Sequence, residues 1–170
     1  EVIVGNDYIH EKITINQLPS FDFPIKVFNH KSNLGELDNL KFLLSAASGE
    51  YFFWLADDDL LMDDALKHIK KTIKLYPQNE FIVPSSISNL KNKEKRNKET
   101  NINLYHKQDF LNDFLIQKIR FQGVYIVYKT NFIRKIIRIN KTDKNIYYAD
   151  YDLIFKSLIE MNKDSIIPFI

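Results

Sequence analysis

The sequence predicts an α/β domain built on a central, mostly parallel sheet, and three observations predict it. Short apolar runs rich in β-branched and aromatic residues alternate with segments of helical period. Several of those runs are apolar at every position, the pattern of strands covered on both faces. With 170 residues, 45% apolar and 27% charged, the chain is long enough for one domain with a real core.

The elements follow in order. "EVIV" (1–4) and "IKVF" (25–28) read as the first two strands. Leu37, Leu40, Leu44 and Ala47 then recur at helical spacing, with Ser32 or Asn33 upstream as a cap and Gly49 downstream as a stop. "YFFWLA" (51–56) is the third strand. Met62, Ala65, Leu66, Ile69 and Ile73 form the stripe of a second helix, opened by Asp63 and Asp64 and closed by basic residues and Pro77, as the helix dipole prefers. "FIV" (81–83) and "VYIVY" (124–128) are further strands. Phe110, Leu111, Phe114 and Leu115 mark a third helix, and Leu153, Ile154, Ser157, Leu158 and Met161 a fourth. The strand–helix alternation makes this one domain over 1–170.

Composition removes several function classes. The chain has no cysteine, so disulfides, thiolate metal sites and a thiol nucleophile are excluded within it. A formal charge of +2 gives no electrostatic reason to expect nucleic acid. The four glycines, Gly5, Gly35, Gly49 and Gly123, are too scattered for a P-loop or a dinucleotide fingerprint. No apolar run is long enough to cross a bilayer. Residues 89–101 hold five basic, two acidic and one apolar residue, and read as a solvated mobile loop, with a lid or a contact to anionic lipid as the alternative.

The chemistry concentrates at "FFWLADDDLLMDDAL" (52–66). Asp57, Asp58 and Asp59 follow directly on an apolar strand, and two like charges 5 Å apart repel by roughly 3 kcal/mol at an effective dielectric of 20. Such a cluster is either solvated or neutralised by a cation. One carboxylate would suffice as a helix cap, and a strand end in a parallel sheet is where ligands bind. Hard oxygen donors suit Mg²⁺ or Mn²⁺, which take one or two protein carboxylates and complete their shell with water and phosphate oxygens. If the extended conformation persists past Ala56, Asp57 and Asp59 share a face and Asp58 points away. Trp54 reads as core, and His10, His30, His68 and His106 show no ligand spacing.

Together "EVIVGND", "NLGELDNL", "AASGEYFFWLADDDLLMDDAL" and "YYADYDLIFKSL" resemble, in order, the family 2 glycosyltransferases of the GT-A fold. The resemblance covers roughly residues 1–160 and implies a GT-A-like, Rossmann-like three-layer domain. It implies transfer of a sugar from a nucleotide-sugar, a UDP-sugar by preference, to a glycan or lipid-linked acceptor. The reaction would be inverting and metal-assisted, serving bacterial surface polysaccharide synthesis. Asn6 and Asp7 align with the pair that recognises the nucleotide, and Asp57 and Asp58 with residues that contact the donor. Asp57, Asp58 and Asp59 together are implied to hold Mn²⁺ or Mg²⁺, although ungapped alignment favours Asp58 where alternation favours Asp57 and Asp59. Asp150 aligns with the general base, and Gln122, Gly123 and Tyr151 are acceptor-side candidates. Ala149 stands where the family usually has Glu. The family's usual first strand and helix are missing before Glu1, which reads as a fragment. Its nucleotide-binding half would span about 1–88 and its acceptor half about 102–170. These two departures support an alternative, a noncatalytic nucleotide-sugar or glycan-binding domain. The implied location is the cytoplasm, with peripheral association at the inner face of the membrane.

Overall fold

The computed structural model describes residues 1–84, 102–116, 118–119, 125–139, 149–162 and 166–170, with backbone only at 138–139 and 149–151. The expected loop at 89–101 lies outside these residues, as do Gln122 and Gly123. The chain forms two compact units, Glu1–Phe52 and Phe53–Ile170.

In the first unit, β1 (Val2–Asn6) pairs in parallel with β2 (Ile25–Asn29), Val2 opposite Ile25 and Asn6 opposite Asn29. Helix α1 (Glu36–Ala46) packs on β1, burying Leu44, with Ala47 buried just past its end. A parallel pair needs a long crossover; here residues 7–24 provide it, with one turn of 3₁₀ helix at Ile15–Gln17. Glu1 pins the first strand at its start. Its carboxylate takes Lys26 Nζ at 2.7 Å and both the amide and hydroxyl of Ser48 at 2.7 and 2.8 Å. Those donors hold the Glu1 carboxyl down at about 2. The strand β3 (Tyr51–Phe52) ends the unit.

In the second unit, helix α2 (Ala65–Leu75) precedes β4 (Phe81–Ile82), which pairs antiparallel with β6 (Val127–Lys129). Strand β5 (Asn103–His106) pairs antiparallel with β7 (Ile166–Phe169), and Val83 bridges in parallel to Phe169. Helices α3 (Lys107–Leu115), α4 (Thr130–Ile139) and α5 (Ala149–Glu160) complete it. The core is formed by Phe81, Ile82, Val83, Phe110, Ile126, Val127, Tyr128, Ile133, Ile136, Leu158 and Ile167, all essentially inaccessible. Continuous apolar sequence is what such strands require, since each face meets protein.

The α/β class and the parallel first pair agree with expectation, and the sheets are small. Four readings change. The run 51–56 is strand only at Tyr51–Phe52, because the chain turns before the carboxylates. Helix α4 was not foreseen: its Ile133 and Ile136 are buried, but they are interleaved with Arg134, Lys135 and Arg138, which hides the stripe in a linear scan. Strands β5 and β7 were also missed; β7 carries Pro168, whose missing N–H argues against a ladder unless another chain segment faces only its carbonyl. Pro168 meets that condition, its carbonyl accepting Val83 N–H at 2.9 Å. The expected stripe of the second helix changes as well: on α2 Ile69 is buried as expected, but Leu66 faces solvent, as does Met62 before the helix begins.

Candidate functional site

Two groups of expected site residues are placed, one in each unit. In the first, β1 ends at Asn6, and the side chains that follow are drawn into the protein's own backbone. Asn6 is buried; its Nδ2 donates to Glu11 O at 2.7 Å and Asn29 Oδ1 at 2.9 Å, and its Oδ1 accepts Tyr8 N–H at 3.1 Å. Asn29 in turn exchanges both amide bonds with Ile13, at 2.8 and 2.9 Å. Two asparagines thus lace the crossover to the carboxyl ends of β1 and β2.

Asp7 reaches the start of α1. Its two oxygens accept the N–H groups of Leu34 at 2.6 Å and Gly35 at 2.8 Å. Gly35 is the cap residue of α1 with φ +76, a left-handed conformation that a Cβ would strain, and Asn33 adds a bond to the Gly35 N–H at 2.9 Å. A carboxylate at the amino end of a helix satisfies otherwise orphaned donors and meets the positive end of the dipole. Sequence reasoning placed Asp7 at the nucleotide and offered Asn33 as a helix cap, without foreseeing that Asp7 and the 33–35 segment bind each other.

Asn39, one turn into α1, is a residue the sequence reading did not single out. Its Nδ2 donates to Gly5 O at 3.1 Å, and its Oδ1 lies 3.0 Å from His30 Nε2. A Cβ at Gly5 would fall inside van der Waals contact of Asn39 Oδ1 and 3.0 Å from Leu43 Cδ2. The signal was available: a glycine in the middle of a strand marks a close approach.

In the second unit the acidic trio sits on a turn. Asp59 N–H donates to Ala56 O at 3.3 Å, so Asp57 and Asp58 occupy the two central positions. The side-chain alternation expected of an extended chain therefore does not hold here. All three carboxylates are exposed. Asp59 accepts a short hydrogen bond from the Tyr125 hydroxyl. Burial, and then the Asp59 carboxylate with Asp58 behind it, push the Tyr125 phenol well above its ordinary range and keep it a donor. Asp57 and Asp58 make no hydrogen bond or ion pair among the described residues. Tyr125 is half-buried, and its hydroxyl is turned to the acidic turn. Trp54, just before the turn, is buried as expected of a core residue.

Among the described residues no three carboxylate or imidazole groups converge. A Mg²⁺ or Mn²⁺ ion that shares its shell with a diphosphate needs only one or two protein carboxylates, and two exposed, unengaged aspartates on one turn fit that demand. Asp150 lies in the first turn of α5, with Tyr151 next to it; their side chains are outside the described set. The four histidines form no ligand group; His68 pairs with Asp64 one turn back on α2 at 2.8 Å.

Comparison with known proteins bears on this arrangement. An uncharacterized glycosyltransferase of Haemophilus influenzae is 27% identical over 82 residues, covering 48% of this chain and 27% of that protein. The matched stretch thus spans about a quarter of that relative's length. Residues 1–138 match the profile of Glycosyl transferase family 2, which takes in β1 through α4 and both the Asn6–Asp7 and Asp57–Asp59 segments. With most of its length inside that match, the chain belongs to glycosyl transferase family 2.

Proposed function

We propose that this chain transfers a sugar from a nucleotide-sugar, a UDP-sugar by preference, to the hydroxyl of a glycan or lipid-linked acceptor, with inversion, in the synthesis of a bacterial surface polysaccharide. The observation that carries the reading is the exposed turn at Asp57 and Asp58, two unengaged carboxylates inside the matched family region. Asp57 and Asp58 hold Mn²⁺ or Mg²⁺, and Asp59, bound to Tyr125, fixes one end of the turn. The metal, when bound, offsets the charge that develops on the departing diphosphate. Asp7 and Asn6 shape the nucleotide pocket: the first through the loop 33–35 that it holds, the second through the crossover that it laces.

Asp150 is the base in this reading. As the acceptor oxygen bonds to the anomeric carbon, the bond from that carbon to the diphosphate breaks, the nucleoside diphosphate leaves, and the acceptor proton passes to the Asp150 carboxylate. Gln122, Gly123 and Tyr151 belong to the acceptor side.

The test is a thermal-shift and turnover series. UDP with Mn²⁺ raises the melting temperature and EDTA removes the rise; Asp57→Asn/Asp58→Asn abolishes it. Asp150→Asn keeps the shift and loses sugar transfer. No shift with any nucleoside diphosphate sinks the donor reading. A shift without turnover in the unaltered protein, over a panel of UDP-sugars and acceptors, leaves a noncatalytic nucleotide-sugar-binding domain in its place.

A further inference from the structure

Helix α2 carries a surface that none of these roles uses. Lys67, Lys70, Lys71 and Lys74 are spaced i, i+3, i+4 and i+7, so they form one stripe. They lie opposite the buried Ile69 and Thr72, and all four are exposed. None of them makes a hydrogen bond or ion pair among the described residues, whereas His68, on another face, is taken by Asp64. Four like charges on one helix face repel one another, and an anionic partner relieves that repulsion beyond what solvent and salt do.

The flanks of the stripe are apolar. Leu66 and Leu75 border it on either side, 50% and 54% exposed, and the segment entering the helix adds Leu60 at 77% with Leu61 and Met62. A soluble polyanion has no use for such residues. A bilayer surface uses both, leucines entering the headgroup boundary while lysine stems lie along it with their ammonium groups at the phosphates. No described helix is long and apolar enough to span a membrane, so the contact is peripheral.

We propose that the Lys67–Lys70–Lys71–Lys74 face of α2, with Leu66 and Leu75 at its margins, docks the protein on an anionic lipid bilayer. The docking rests on α2 alone and does not depend on glycosyl transfer. Co-sedimentation of the 170-residue chain with vesicles tests it, using phosphatidylcholine alone or mixed with phosphatidylglycerol, at low and high NaCl. Binding is expected only with phosphatidylglycerol and weakens with salt. Lys70→Gln/Lys74→Gln lowers the partition coefficient on the order of thirtyfold. Lys12→Gln/Lys31→Gln, which removes the same charge elsewhere, changes it less than about twofold. Leu66→Gln/Leu75→Gln weakens the binding that survives high salt. Equal losses for the two lysine pairs, or equal binding to neutral vesicles, overturn the proposal. So does heparin binding that depends on Lys70 and Lys74 without any vesicle binding, which assigns the face to a soluble polyanion. All substituted side chains are exposed, and unchanged circular dichroism and melting confirm that each variant is folded.

Discussion

Adding a single methyl group at Gly5 tests how β1 and α1 are joined. The Cβ of Gly5→Ala would press on Asn39 Oδ1 and touch Leu43 Cδ2 at 3.0 Å. Overpacking of this kind costs about 1–3 kcal/mol. Displacing Asn39 also loses its bond to Gly5 O, about 1 kcal/mol more. The expected loss is therefore about 2–4 kcal/mol, which for a chain of this size lowers the melting temperature by roughly 4–16 °C. Asn39→Ala alone loses the bond but gains helix propensity, for a net cost of about 0.5–1 kcal/mol. The informative variant is the double. With Asn39 shortened, the methyl at position 5 has room, so Gly5→Ala/Asn39→Ala should fall short of the sum of the single changes by at least about 1 kcal/mol. Urea unfolding of the four proteins measures this. Strict additivity, or a Gly5→Ala protein as stable as the parent, would refute the close-approach explanation of that glycine.

Three further outcomes are expected. Asp7→Ala, which strips the acceptors from Leu34 and Gly35 N–H, should cost about 2 kcal/mol, with Asp7→Asn intermediate because it keeps one acceptor; equal melting of all three proteins would remove Asp7 as the anchor of α1. Tyr125→Phe should cost about 1 kcal/mol, and adding Asp59→Asn should cost little beyond it, since both changes break one hydrogen bond; independent effects in a double-mutant cycle would count against the tether. The third concerns acid. The Glu1 carboxyl is lowered in the fold from 4.5 to about 2, so its contribution is complete above pH 4.5 and disappears as the pH falls toward 2. The stability gap between the parent and Glu1→Gln should therefore close across that window in urea titrations, and a gap constant down to pH 2 would exclude the network with Lys26 and Ser48.

Much of this was legible in the residues, and the exceptions have physical reasons. β1 and β2 could be read as short β-branched and aromatic runs, and α1 and α5 because each carries a single helical period. The apolar runs at 81–83 and 124–128 foretold strands where Phe81, Ile82, Val83, Ile126, Val127 and Tyr128 are almost wholly buried. The turn at 56–59 was not legible, because neither proline nor glycine marks it and aspartate is at home in both a turn and a cap. Helix α2 has an apolar pattern that predicted its existence correctly and its exposed margin incorrectly: Leu66 fits the stripe by spacing but lies past its edge on the helix. Partnerships were the least visible feature. Asp7 with Gly35, Asn39 with Gly5, and Asp59 with Tyr125 are separated by 28, 34 and 66 positions, and only the folded chain brings each pair together.

The last of these pairs sets an order of events. Joining Asp59 to Tyr125 closes a loop of 66 residues, so its entropy cost falls due before the hydrogen bond forms, and such contacts arise late in folding. Asp7 and Gly35 close a shorter loop within the first unit. A refolding chain should therefore assemble the anchor of α1 before its acidic turn is moored. During biosynthesis the contrast is sharper, since α1 is complete in the nascent chain about 80 residues before Tyr125 is added. Until then the three aspartates are carried on an untethered segment.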